Sequence, residues 1–132
     1  MKSVIILKGV SGAGKSTVAQ LFTDAVICCA DDYYIGSDGV YRFVADEIGY
    51  AHQHCRKSFD LAIFSGVETI VIANTNTKPS DWAYYDEVGK QNGYHIFHLV
   101  IENRHGNENI HSVPLQTLER QENAIRQNLK LR

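Results

Sequence analysis

Gly9-Val10-Ser11-Gly12-Ala13-Gly14-Lys15-Ser16 is the stretch of this sequence whose residue types and spacing commit it most clearly to a chemistry. It fits G-x-x-x-x-G-K-S/T, in which small residues let successive backbone N–H groups close around phosphate oxygens at the start of a helix. Gly9, Gly12 and Gly14 allow turns and close approaches that a side chain would block. Lys15 brings charge to the outer phosphates, and the Ser16 hydroxyl is a ligand for Mg²⁺. With Ser11, Ala13 and Thr17 these residues make a candidate nucleoside triphosphate site. No Asn-Lys-x-Asp run of the kind that reads guanine is present, so ATP with Mg²⁺ is the expected pair.

Such a loop works only between a strand and a helix, and the flanking sequence supplies both. Ser3 to Leu7 is an apolar run, and Lys15 to Asp24 places Val18, Leu21 and Phe22 on one helical face. Val26 to Cys29 reads as a second strand, followed by Asp31-Asp32 and the turn-rich Gly36-Ser37-Asp38-Gly39. The spacing of Ile48, Ala51, Cys55, Phe59, Ala62 and Ile63 predicts a helix over 46–65, stopped by Gly66. Glu68 to Ala73 is a third strand, Ser80 to Gln91 a helix opened by Pro79, and Tyr94 to Ile101 a fourth strand. A last helix is expected over 114–129. Alternating strands and helices with continuous apolar strand runs imply a parallel sheet covered on both faces, with ligands beyond the carboxyl ends of the strands. The polar clusters fall there: the glycine loop, Asp31-Asp32 and Asn74-Thr75-Asn76.

The chain has 132 residues, 44% of them hydrophobic and 21% charged, which suits a single globular domain with one core. Its apolar runs are too short to span a membrane and no signal-peptide pattern opens it, so a cytoplasmic location is expected. Cys28, Cys29 and Cys55 show neither a disulfide framework nor metal-finger spacing and are expected to pack as small hydrophobes. The net charge is −2, with bases gathered toward the two ends and eleven acids against five bases over 31–103. A polynucleotide partner would therefore have to be held by a local patch. His52-x-His54 and His95-x-x-His98 have spacings that put the members of each pair on different faces of a helix or strand, so neither reads as a chelate.

The run Asp31-Asp32-Tyr33-Tyr34, then Asp38-Gly39-Val40-Tyr41-Arg42-Phe43, Ala51-His52-Gln53-His54-Cys55 and Ile72-Ala73-Asn74-Thr75-Asn76 resembles the P-loop group that contains the polynucleotide 5′-hydroxyl kinases and the NEDD-four-binding protein two-like ATP-binding domains. The resemblance covers most of the chain, from Val4 to about Ile125. It implies a three-layer, nucleoside-kinase-like P-loop NTPase fold with a short parallel sheet of about four strands, and one kinase domain over 1–132 with a lid at about 102–113. The activity it implies is transfer of the γ-phosphate of ATP to a hydroxyl, the 5′-hydroxyl of a polynucleotide or nucleoside. Asp31 takes the place of the general base, Asp32 assists the metal shell or caps the next segment, and Arg104 in the lid takes the place of the residue that closes over the transferring phosphoryl group. Arg120 and Arg126 on the last helix are alternatives for the phosphates or the adenine face. Tyr34, Asn74, Asn76 and His52 fall on the acceptor side.

The sequence also departs from that pattern. Tyr34 stands where bacteriophage polynucleotide kinase has an Arg that holds a substrate phosphate. Asn74 replaces an Asp, and Glu108 occupies the usual place of a lid Arg. Asn74-Thr75-Asn76 reads equally as a strand-ending turn, and His52 as a satisfied structural residue. Tyr33, Tyr34, Tyr41 and Phe43 are stacking surfaces or simple packing, whereas Lys78, Trp82, Tyr84 and Tyr85 at the start of the third helix are the flank of a nucleic-acid groove or, with Asp81 and Asp86 among them, a solvated helix face. Two other readings therefore stand beside the first: a small-molecule kinase similar to zeta-toxin or antibiotic phosphotransferases, and an ATP-binding interaction module with little turnover.

Overall fold

The computed structural model describes residues 1–102 and 113–129. Strands β1 (Ser3–Lys8), β2 (Val26–Cys28), β3 (Thr69–Ile72) and β4 (His95–Val100) form one parallel sheet in the order β2-β3-β1-β4. In β1, every residue is buried, as expected for a strand flanked on both edges and covered on both faces. The strand alternation sorts its side chains. Val4 and Ile6 join Phe59, Ala62, Cys55 and Tyr85 in the larger core, beneath helices α2 (Ile48–Phe64) and α3 (Pro79–Gln91). Ile5 and Leu7 point the other way, against Val71, Ala73, Val18 and Ala19 beneath helix α1 (Lys15–Ala19). A third cluster joins Val10 and Ala13 of the glycine loop to Ile125 of helix α4 (Leu115–Leu129). No helix among the described residues is long and apolar enough to cross a membrane.

The strand and helix order follows the sequence, and the differences are local. Helix α1 stops at Ala19 rather than Asp24: the chain turns through Gln20 to Thr23 and left-handed Asp24 (φ 65°) to enter β2. Phe22 still packs on the sheet, but Leu21 is 75% exposed and leaves the face expected of it. Helix α2 begins at Ile48, led by a 3-10 turn at Ala45–Glu47, and Ile48 faces solvent. A second 3-10 turn, Ala30–Tyr34, follows β2 directly and carries the acidic pair. Cys28 and Cys55 are buried, and burial pushes the Cys28 and Cys29 thiols up to about 12.

Candidate active site

Three strand ends meet at the glycine loop. The Gly9 N–H donates to the Thr75 carbonyl at 3.0 Å, and Asn76 Nδ2 donates to the carbonyls of Leu7 at 2.7 Å and Asn74 at 3.3 Å. The segment after β3 is thus a staple that fixes where β1 gives way to the loop. Asn76 makes that staple while 2% exposed and left-handed (φ 49°), and its Oδ1 is buried without a partner. Gly9 is required by close approach, because a Cβ there would lie 2.7 Å from the Ile101 carbonyl oxygen. Gly14 is required by conformation: at φ 104° it sets the left-handed turn that starts α1.

Lys15 folds back over this loop. Its Nζ donates to the carbonyls of Gly9 at 2.9 Å and Val10 at 2.8 Å. Burial lowers its pKa to about 8, against the opposing pull of Cys29 and Asp31. The charge of Asp31, at another strand end, thus favours the Lys15 ammonium. Ser16 and Thr17 are exposed in the only turn and a half of α1.

Asp31 sits half-buried in the Ala30–Tyr34 turn, with the Tyr41 hydroxyl donating to Oδ1 at 3.5 Å. The turn is itself anchored. Asn74 Oδ1 accepts the Ala30 N–H at 2.8 Å, and its Nδ2 donates to Cys55 Sγ at 3.4 Å, where the Tyr85 hydroxyl also donates at 3.2 Å. Both ends of the Asn74 amide are thus engaged by protein, and they tie the Asp31 turn to β3 and α2. Partial burial of the Asp32 carboxyl raises its pKa, Asp31 adds to the rise, and His54 opposes it.

The remaining sequence-derived residues are spread more widely. Tyr34 is 7% exposed and packs into the larger core, with its hydroxyl buried and unpartnered. His52 lies exposed on α2, whereas His54 approaches the turn, its ring 6.2 Å from that of Tyr33. Arg120 is exposed on α4, and Arg126, also exposed, bonds Glu122 at 2.9 Å. Arg104 and almost all of the lid lie outside the described residues. The aromatic side chains of α3 do not form the solvated face expected of them but are taken up by the protein: Tyr85 in the core, Tyr84 on Asp60 and under Arg56, and Trp82 beneath the Lys8 ammonium at 4.0 Å.

Two contacts here escape sequence reasoning. Gln121 Oε1 accepts the Ser11 N–H at 3.0 Å, so α4 holds one amide of the loop directly. Lys8, the residue before Gly9, is 1% exposed, with burial lowering its pKa and Asp86 raising it. Helical periodicity marks the apolar face of α4 but carries no signal that Gln121 reaches a loop 110 positions away.

No three His, Cys, Asp or Glu side chains converge as a metal cage among the described residues. The candidate oxygen donors are the exposed Ser16 hydroxyl at the start of α1 and, on the separate Ala30–Tyr34 turn, the exposed Asp32 carboxylate. They fit Mg²⁺, which takes few protein ligands and completes its shell with phosphate and water.

No protein-family model matches the sequence. Among solved structures, a mutant of the Mycobacterium tuberculosis APS kinase CysC matches with a TM-score of 0.55 at 15% identity, over 98% of each chain. The same kinase in complex with AMPPNP and APS matches with a TM-score of 0.54 at 19% identity, over 92% of this chain and 68% of that one. A chain of a Pnkp1/Rnl/Hen1 complex matches with a TM-score of 0.58 at 18% identity; the match covers 90% of this chain and 38% of the other. The chain shares the fold of these structures, a four-stranded parallel α/β sheet with helices on both faces.

Proposed function

We propose that this protein is an ATP-dependent kinase that transfers the γ-phosphate to a hydroxyl. The observation that carries the reading is the pairing of Lys15, folded over the glycine loop at the end of β1, with the Asp31 carboxylate at the end of β2, two strands away in the sheet, whose charge favours the Lys15 ammonium. Phosphoryl transfer asks a protein mainly to position groups and to balance charge. In this reading Lys15 and the loop amides hold the triphosphate, and Ser16 with Asp32 would hold Mg²⁺, whose charge offsets that of the phosphates. Asp31 orients the acceptor hydroxyl and takes its proton as the new P–O bond forms and ADP leaves. Arg104 is the lid residue assigned to the transferring group, and Arg120 remains a candidate for the nucleotide.

The sequence resemblance favours the 5′-hydroxyl of a polynucleotide or nucleoside as acceptor. A small hydroxylated molecule is the second reading, favoured by the excess of carboxylates around Asp31. The roles of Asn74 and Asn76 in this scheme are positional, through the Ala30 N–H and the Leu7 carbonyl.

The test is transfer of radiolabelled γ-phosphate with Mg²⁺ into 5′-hydroxyl oligonucleotides, nucleosides and aminated sugars. Asp31→Asn is expected to lower transfer at least about a hundredfold, the lower end of a general base's contribution, while ATP affinity stays within about threefold of the parent. Loss of ATP binding in that variant would refute the assignment of Asp31. ATP binding with no transfer to any acceptor would favour a binding module instead.

A further inference from the structure

Between residues 31 and 54 the sequence sets five carboxylates against one permanent cation, Arg42. That cation is committed. Arg42 donates from Nη2 to Asp38 Oδ2 at 2.7 Å and from Nη1 to Asp38 Oδ1 at 3.2 Å, at an exposed turn. Lys15, whose ammonium is favoured by the charge of Asp31, is bonded to the glycine loop. An acceptor bearing a phosphate beside its reacting hydroxyl would need a cation of its own, and arginine forks or ammonium groups usually supply it. Among the described residues of this segment none is left to do so.

The rest of the segment is aromatic and apolar. The Tyr34 ring meets Tyr33 at 5.3 Å, Phe43 at 5.1 Å and Tyr41 at 5.9 Å. Polar tips of this cluster turn to acids: the Tyr33 hydroxyl donates to Glu47 at 3.2 Å, and that of Tyr41 approaches Asp31. The Tyr34 hydroxyl is buried without a partner, in the position where a phosphate-holding Arg would otherwise be expected. On the outside, Ile35, Val40, Phe43 and Val44 leave apolar surface exposed beside the same turn.

We propose that the acceptor is a phosphate-free hydroxyl compound, uncharged or bearing a basic amine, with a flat or apolar face, and that the carboxylates of the 31–54 segment exclude acceptors carrying a phosphate next to the reacting hydroxyl. This rests on the kinase reading and sets a nucleoside or other small hydroxylated molecule above a polynucleotide end as its acceptor. The transfer balances without any further reagent: the acceptor oxygen bonds the γ-phosphorus as the bond to the β,γ-bridging oxygen breaks, ADP departs, and the hydroxyl proton passes to Asp31. Rings and apolar surface accept a sugar or base face. Carboxylates attract an amine and repel a phosphate.

The experiment separates acceptor recognition from turnover. The full chain with AMPPNP and Mg²⁺ is titrated with two matched pairs, cytidine against cytidine 3′-monophosphate and glucosamine against glucosamine 1-phosphate. The phosphate-free member of a pair is expected to bind at least about tenfold more tightly, an advantage that shrinks between about 20 and 300 mM salt as charge is screened. Glu47→Gln keeps an oxygen for the Tyr33 hydroxyl and removes one charge, so it is expected to narrow the ratio. Equal or tighter binding of the phosphorylated members, binding of no member of either pair, or a ratio unmoved by Glu47→Gln overturns the proposal. Label transfer from ATP is measured separately. Phosphate-free compounds that bind in this order but are never phosphorylated would overturn the kinase reading and leave the binding preference standing.

Discussion

Lys15 is a cation kept where its charge is disfavoured. Free lysine titrates near 10.5, and burial under the loop brings this one to about 8. Between those values the unfolded chain holds a proton that the folded protein has lost, so this residue makes stability rise with pH across that window. Nucleotide binding runs the opposite way, because a triphosphate needs the ammonium. Above pH 8, ATP binding is therefore expected to take up a proton and to weaken as pH rises. Calorimetry in two buffers of different ionisation heat reads the uptake directly, and a binding heat independent of buffer would show that Lys15 is already charged. The phosphate loop is legible in the sequence because its parts lie in eight consecutive residues. Asn74 is different: its type fits a turn, and only the folded chain reveals that its two amide ends reach Ala30 and Cys55. Asn74→Leu would strand the Ala30 N–H, at a cost of about 1–3 kcal/mol. Urea unfolding should show that loss, and transfer should fall further than stability alone explains, because the turn carrying Asp31 is released. Full activity in Asn74→Leu would argue against its positioning role.

Between elements, the loop is gripped from two directions. Helix α4 lays Ile125 on Val10 and Ala13 and offers Gln121 to Ser11, while β4 brings the Ile101 carbonyl against Gly9. Gln121→Ala removes one neutral hydrogen bond, worth about 1 kcal/mol, so ATP should bind roughly fivefold more weakly. Gln121→Glu keeps the acceptor and adds a negative charge beside the loop. It should weaken ATP more than ADP and leave the thermal midpoint without nucleotide near that of the parent; equal losses for both nucleotides would mean that the contact only supports the fold. Gly9→Ala is harsher, since the clash is with backbone, and a cost of about 1–3 kcal/mol is expected together with lost ATP binding. These junctions explain why element boundaries were less legible than element types. Leu21 has the right period for the buried face of α1, yet the short path from the loop into β2 ends that helix at Ala19 and leaves Leu21 in solvent.

Across the whole molecule, the alternation of strands and helices was readable because each apolar run is local, whereas the order β2-β3-β1-β4 depends on pairings between distant segments that no run announces. That order puts β1 at the centre of the fold and the phosphate loop at its end. The cover is unequal: α2 and α3, of 17 and 13 residues, lie over one face, and α1, of only 5, lies over part of the other. A region covered so lightly should open without global unfolding, since few buried apolar contacts have to be broken. Residues 9–24 are therefore expected to exchange amide hydrogens faster than β1 and β3, whose apolar residues are almost all buried. A nucleotide that binds only the closed loop stabilises it by RT ln(1 + [L]/Kd), about 2.7 kcal/mol at a hundredfold excess over Kd. Exchange of the loop and α1 amides should then slow by about a hundredfold with AMPPNP and Mg²⁺. Amides near Gly93, in the turn between α3 and β4 and away from the loop, should change little. Protection spread evenly over both regions would mean that α1 opens only with the entire sheet, and that its thin cover is offset by the grip of α4 on the loop.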